Sequence, residues 1–348
     1  MAVTLRELDA ASAPAWDAFV RARPDGTFFH LSPWAAVIRG AFGHATPYVM
    51  AEQDGAVVGV LPLARMRTRL FGDVLSSTPF CVYGGSLAAT PEAAAALEAH
   101  ALALRDRLGA PVLEFRRRGA ADAGWTGRPP LYFTFRKPIQ LTGDDAKDMA
   151  ANIPRKQRAE VRKAIEKFGL RSLSNSDTRT LHRVYAESVR NLGSPTFAHR
   201  YFRLLAEAFP GEHDVTTVLA GEAPVASVLN FHFREEVLPY YGGGLAAARE
   251  NRANEFMYWE VMRRAGRERG ATLFDFGRSK AGTGAFDYKK NWGFAPEELH
   301  YCYRLAAGAA VPDNNPNNPK YRLFIAAWKR LPLPLAKLLG PPLVRGLG

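Results

Sequence analysis

The chain has 348 residues, 47% of them hydrophobic, and 46 Lys and Arg against 34 Asp and Glu give it a net charge of +12. That length and apolar content suit about two ordinary domains and exclude a chain too poor in hydrophobic residues to fold. Two cysteines, Cys81 and Cys302, exclude a disulfide framework and show no metal-ligand spacing, no run approaches the roughly 20 apolar residues that cross a bilayer, and Met1–Arg6 lacks signal-peptide character, so cytoplasmic residence without a metal is expected.

The charge is concentrated rather than spread. Residues 1–145 hold 15 basic against 14 acidic side chains, residues 146–319 hold 25 against 20, and residues 320–348 hold 6 against none. A protein coated in nucleic acid would distribute its cations more widely.

In chain order, Ala15–Arg21 and Pro33–Gly40 read as helices, the second with Ser32 as N-cap and Pro33 in its first turn. Pro47–Glu52 and Ala56–Arg65 read as strands joined by the hairpin turn Asp54-Gly55. Ala93–Leu108 is an amphipathic helix closed by Gly109, Val112–Phe115 and Leu131–Phe135 are strands, and Gly124–Pro130 is loop. The strand pattern stops near Thr142–Asp145, which places a boundary there: domains at 1–145 and 146–306, then a tail at 307–348. The second domain opens with a basic helix over Asn152–Gly169, followed by helices at Asp177–Asn191 and Ala198–Ala208. Strands follow at Val215–Ala220, Val225–Arg234 and Val237–Gly242, then a long helix at Arg252–Arg269. The strand Thr272–Phe276 leads into Gly277–Gly284, and Glu298–Arg304 is a last strand. This order fits an α/β (α+β) domain built on one largely antiparallel sheet, and the first domain shows a similar layout.

Three segments carry chemistry. In the basic helix, Val161, Ala164, Ile165 and Phe168 form a stripe for burial, while Arg155, Arg158 and Arg162 share one face and Lys156, Lys163 and Lys167 another. Such a face suits a polyanion (tRNA, a nucleotide or a pyrophosphate lipid) or is simply solvated, and the excess of one sign favours the first. In FDFGRSKAGTGAFDYKKNWGF, Phe274–Phe294, a strand runs into a glycine-rich loop where backbone amides approach a ligand closely. Arg278 and Lys280 add charge, and Lys289 lies beside Tyr288 and Trp292, where a rigidly held ammonium stabilises negative charge developing in acyl transfer. The alternative is a tight turn with a surface lysine pair. Tyr241 ends a strand before Gly242-Gly243-Gly244, which allows a bulge, a close substrate approach or an ordinary loop.

Other patterns carry less. Arg116-x-x-Gly119-x-Ala121 fits a loose pyrophosphate-binding pattern but is followed by Gly and Pro rather than by the helix that would aim amides at phosphate. Cys81 reads as a packed strand residue, and no Gly-x-Ser-x-Gly elbow is present. The tail, with no acid after Asp313, combines Trp328 and several leucines with Lys329, Arg330, Lys337 and Arg345. It is suited to the headgroup region of an anionic membrane or to packing on the body as a helix, with Pro332, Pro334, Pro341 and Pro342 limiting any continuous helix.

These segments resemble the FemAB-like transferases, in particular the branch associated with exosortase (PEP-CTERM) and exopolysaccharide loci. The resemblance rests on FFHLSPW and FGH within Phe28–His44, STPFCVYGG at Ser77–Gly85, PRKQRAEVRKAIEKFGL, YYGGGL and Phe274–Phe294. Its most specific part is Tyr288-Lys289-x-x-Trp292-Gly293, which is similar to the family's Phe-Lys-x-x-Phe-Gly. The resemblance implies two tandem GNAT-like (acyl-CoA N-acyltransferase) domains, with mixed, mostly antiparallel sheets flanked by helices. It also implies acyl or aminoacyl transfer to an amino-sugar or lipid-linked cell-envelope precursor, with the motif lysine, Lys289, at the active site. The donor would be acyl-CoA or aminoacyl-tRNA, with no tightly bound cofactor. The chain lacks the coiled-coil arm of many members and its tail differs from theirs, which counts against the tRNA donor, while the second domain also resembles acyl-CoA-type relatives of the same fold, so the donor stays open. Asp275 and Asp287 are candidates either for polar partners of the site or for structural roles, and the expected location is cytoplasmic, peripheral at the inner face of the membrane. A non-catalytic protein holding RNA or anionic lipid is the competing reading.

Overall fold

The computed structural model describes residues 2–119, 124–127, 131–312 and 322–348. The expected loop at 128–130, the Ala121 end of the rejected pyrophosphate pattern and tail residues 313–321 lie outside them. The chain forms two compact units, Met1–Leu131 with Glu298–Pro316 and Pro342–Gly348, and Tyr132–Glu297 with Asn317–Pro341.

The first unit contains β1 (Thr4–Glu7), α1 (Ala13–Ala22), α2 (Pro33–Phe42), β2 (Val49–Gln53), β3 (Ala56–Leu61), β4 (Leu63–Thr68), β5 (Gly72–Ser77), β6 (Leu87–Ala88), α3 (Pro91–Leu108), β7 (Val112–Arg117) and β8 (Thr126–Gly127). One antiparallel sheet has the order β1-β2-β3-β6. In the other, β4 pairs antiparallel with β5, which pairs parallel with β7. The Asp54-Gly55 turn forms as expected, both residues at positive φ (55° and 79°). The single strand expected over Ala56–Arg65 is two strands in different sheets. Pro62 sits at the break, where it has no N–H to give to a ladder. Ser32 does not cap α2 with its side chain. Its hydroxyl donates instead to Asp17 Oδ2 at 2.9 Å, tying α2 to α1. Cys81 is fully buried.

The second unit contains β9 (Tyr132–Pro138), α4 (Asp145–Asn152), α5 (Arg155–Glu166), β10 (Arg171–Asn175), α6 (Thr178–Leu192), α7 (His199–Ala208), β11 (His213–Ala220), β12 (Ala223–Phe233), β13 (Glu236–Gly244), α8 (Ala246–Glu250), α9 (Ala253–Arg269), β14 (Leu273–Asp275), β15 (Ser279–Lys280) and α10 (Gly284–Asn291). The strand β16 (Pro296–Leu305), most of it in the first unit, pairs antiparallel with β7. The second sheet runs β10-β11-β12-β13-β14-β9, antiparallel throughout except for β13 and β14. Alternation along β13 sorts its two faces. Tyr241 meets Tyr185 of α6 and Phe202 of α7, while the next position but two, Gly244, lies against Ala248 and Asn254 of α8 and α9. The sheet is thus covered by helices on both faces.

Two expectations about helices change. In α5 the buried residues are Gln157, Val161 and Ala164, and Ile165 and Phe168 stay exposed (42% and 37%), because α9 covers a narrower stripe than the periodicity suggested. The tail forms α11 (Arg322–Arg330) and α12 (Leu333–Val344). Pro332 separates them, but Pro341 and Pro342 do not end α12. Their missing N–H groups leave Lys337 and Leu338 carbonyls without the usual intrahelical donor. Trp328 is buried rather than offered to a headgroup layer.

Candidate active site at the end of the parallel strand pair

The β13 and β14 strands are joined by the crossover through α8 and α9. Their ladder covers Glu236 and Val237, paired with Leu273 and Phe274, whereas β13 continues its ladder with β12 to Gly244. The two parallel strands therefore part after a short ladder. Crevices outside the carboxyl ends of parallel strands are the usual ligand sites of such sheets. Beyond β14 the chain stays with β9: Phe276 N donates to Phe135 O at 2.8 Å, and Ser279 and Lys280 pair with Phe133 and Tyr132. Gly277 makes the intervening turn at φ +66° with open space where a Cβ would stand. The carboxylate of Asp275 accepts from Gly277 N at 2.8 Å and fixes that turn.

The lysine-bearing segment that sequence left as a cluster is the helix α10. Thr283 caps it, accepting from Phe286 N at 3.3 Å and donating to Lys280 O at 2.8 Å. The helix aims Lys289 back at the loop. Its Nζ donates to Gly277 O at 2.9 Å and to Arg278 O at 3.0 Å, and lies 5.4 Å and 5.5 Å from the ring centres of Phe135 and Phe276. Burial pushes its pKa down to about 7, opposed by Asp275 and reinforced by Arg278. An ammonium has three N–H groups. Two are taken by the carbonyls, so the protonated form has one left for an acceptor.

The neighbours of Lys289 divide into structural and available groups. Asp275 is 1% exposed and pairs with Arg136 (Nε–Oδ2 3.3 Å), which also pairs with Glu236, so it braces β9, β13 and β14 together. Trp292 is fully buried among Tyr258, Phe276 and Tyr288. Burial pushes the Tyr288 hydroxyl up, and the Trp292 side chain acts against that shift. Arg278 and Lys280 lie over the ring of Tyr132, at 4.8 Å and 5.2 Å. Asp287 is exposed on α10.

Arg155, Arg158 and Arg162 follow Pro154, whose Cγ would lie 3.2 Å from a Cβ placed on Gly293. The start of α5 thus abuts the end of α10. Arg155 and Arg162 are exposed and Arg158 partly so. Tyr241 is not brought to Lys289. Its hydroxyl shares a 2.8 Å hydrogen bond with Tyr201, and its ring packs under α6 and α7. The glycines after it belong to β13 and serve packing: a Cβ on Gly243 would come 2.5 Å from Ser188 Cβ, and one on Gly244 2.6 Å from Asn254 Oδ1.

Two residues here were not singled out by sequence. Lys137 of β9 donates to Asn152 O and lies 4.8 Å from the Phe294 ring, and burial lowers its pKa. Glu255, in the first turn of α9, is pushed up by burial and acts electrostatically on Tyr258 and Tyr288. An acid in a first helical turn is so ordinary that nothing in the sequence marks it.

Residues 155–290 match the model of an acetyltransferase (GNAT) domain. No curated protein matches the chain in sequence. Among solved structures it is similar to FemX, at 16% identity and TM-score 0.68, over 92% of this chain and 100% of that one. It is also similar to a tandem GNAT protein from the clavulanic acid biosynthesis pathway, at 14% identity and TM-score 0.57, over 88% and 100% of the two chains. A protein of unknown function from Bacteroides thetaiotaomicron VPI-5482 aligns at 10% identity and TM-score 0.54, over 87% and 100%. At these identities the likeness is one of fold: tandem GNAT-like domains with mixed sheets flanked by helices.

Proposed function

We propose that the protein is an N-acyl or N-aminoacyl transferase whose acceptor is an amino sugar or another amine-bearing, lipid-linked cell-envelope precursor, in keeping with the exosortase- and exopolysaccharide-associated branch it resembles. The observation that carries this reading is the Lys289 ammonium, held by two carbonyls at the end of the parted β13–β14 pair within the segment that matches an acetyltransferase domain. The donor is a thioester of coenzyme A or the ester of an aminoacyl-tRNA. The acceptor nitrogen attacks the acyl carbon, a C–N bond forms, and the carbonyl oxygen becomes an oxyanion. The third N–H of Lys289 stabilises that charge. Collapse breaks the C–S or C–O bond, the leaving group departs as thiol or hydroxyl, and the proton it takes is the one lost by the attacking amine. Glu255, in the first turn of α9 and acting electrostatically on Tyr288 beside Lys289, is the proton acceptor in this scheme. Arg155, Arg158 and Arg162, with Arg278 and Lys280, hold the anionic portion of the donor.

The test is a product assay by mass spectrometry. Purified protein is offered acyl-CoA or aminoacyl-tRNA with free and nucleotide-linked amino sugars, and acylated amine that disappears in Lys289→Ala supports the proposal. If no donor turns over with any such acceptor while RNA or anionic lipid is retained, the protein is a binding module.

A further inference from the structure

The α11 and α12 helices pack on the second unit by their small or centrally placed residues and turn large apolar ones outward. Ile325 and Trp328 of α11 face α6. A Cβ on Gly193 would lie 2.5 Å from Ile325 Cγ2, and Trp328 is 3% exposed. Arg190 of α6 donates to Leu331 O at 3.1 Å and holds the turn between the two helices. In α12 the buried positions are Ala336, Gly340 and Val344, and a Cβ on Gly340 would lie 2.8 Å from Thr196 N and O. Leu335, Leu338 and Leu339 lie at i, i+3 and i+4 on the outer face, 46%, 70% and 47% exposed. Leu323 and Phe324 of α11 are 86% and 42% exposed. A helix selected only for packing on its own domain would turn its leucines inward.

Charge identifies what this face meets. Arg322, Lys329 and Arg330 are exposed on α11 and Lys337 is partly exposed on α12, and residues 314–348 contain no Asp or Glu. Neither helix is long and apolar enough to cross a membrane. Outward leucines flanked by unopposed cations suit a surface that is apolar inside and anionic at its boundary. We infer that the outer face of α11 and α12 is a docking surface for an anionic phospholipid bilayer, with Leu323, Leu335, Leu338 and Leu339 entering the acyl boundary and Lys329 and Arg330 meeting headgroup phosphates. The inference does not depend on the transferase reading, since it concerns residues outside that site and its readout is partitioning rather than turnover.

The experiment is co-sedimentation of the full chain with vesicles of phosphatidylcholine, with and without phosphatidylglycerol. The protein should sediment with the phosphatidylglycerol vesicles, weakly with pure phosphatidylcholine, and less as salt rises. The triple variant Leu335→Ser, Leu338→Ser, Leu339→Ser should lose most of its partitioning while its melting curve stays unchanged. The variant Lys329→Glu, Arg330→Glu should bind at least about tenfold more weakly at about 1 kcal/mol per cation. Equal binding to both vesicle types, or undiminished binding by both variants, would overturn the inference. So would a wild-type protein that ignores vesicles but is a dimer that the serine variant dissolves, because the face would then be a contact between two copies.

Discussion

The Nζ of Lys289 lies 2.9 Å from the carbonyl oxygen of Gly277, so the side chain proposed to work on substrate is also the clamp on the turn that follows β14. Removing it acts in two ways that variants separate. Lys289→Ala should lower turnover by about 10²–10³-fold, the effect of losing one oxyanion donor. It should also cost about 1–3 kcal/mol of stability if the freed carbonyls stay buried. Lys289→Arg keeps a cation, and partial recovery of rate by Arg but not by Met would assign the effect to charge rather than to packing. Wild-type rates in all three variants would remove Lys289 from the chemistry.

The lowered pKa of Lys289 has a definite sign. At pH below about 7 the ammonium form dominates and supplies the third donor, and as pH rises through about 7 that donor is lost. A rate profile corrected for ionisation of the acceptor amine should therefore bend downward near pH 7, and the bend should vanish in Lys289→Arg, whose guanidinium stays charged. Stability moves the other way. The unfolded lysine holds its proton up to about 10.5, so this group favours folding increasingly as pH climbs from 7 towards that value. Thermal melts of wild type and Lys289→Met across that range measure the difference.

Glu255→Gln tests the proton acceptor. Its carboxyl is raised by burial, so the amide should remove the acidic limb of the rate profile and lower turnover about 10²–10⁴-fold, the range for a positioned base. An unchanged acidic limb would return the role to the substrate or to water.

Two glycine substitutions should behave differently. Gly243→Ala drives a Cβ to 2.5 Å from Ser188 Cβ between β13 and α6, and should destabilise by about 1–3 kcal/mol as overpacking does. Gly277→Ala meets open space and pays about 1–2 kcal/mol for a left-handed conformation. Because Gly277 shapes the turn that Lys289 holds, its variant should lose more activity per unit of stability than Gly243→Ala. Chemical denaturation combined with turnover decides it.

Arg136 should behave as a brace. Asp275 is 1% exposed and pairs with it, so Arg136→Met leaves a buried carboxylate without its cation and should cost about 3–5 kcal/mol. A variant that melts within a degree of wild type would show that solvent reaches Asp275 on the way to its role.

The sequence by itself made the element types legible wherever local chemistry decides them. Asp54-Gly55 announced its hairpin and Gly109 the end of α3, while the spacing of Lys289 after a strand and glycine loop marked only a candidate segment. What local pattern left open was where each side chain would be used. Tyr241 and Lys289 look alike as candidates in the sequence, each beside glycines and aromatics. Strand alternation sends Tyr241 under α6 and α7, while α10 turns Lys289 back to Gly277. The parting of β13 and β14, the burial that lowers Lys289 and raises Glu255, and the outward leucines of α12 all depend on which neighbours are excluded or brought near. That is a property of long-range packing, so only the tertiary structure decided it.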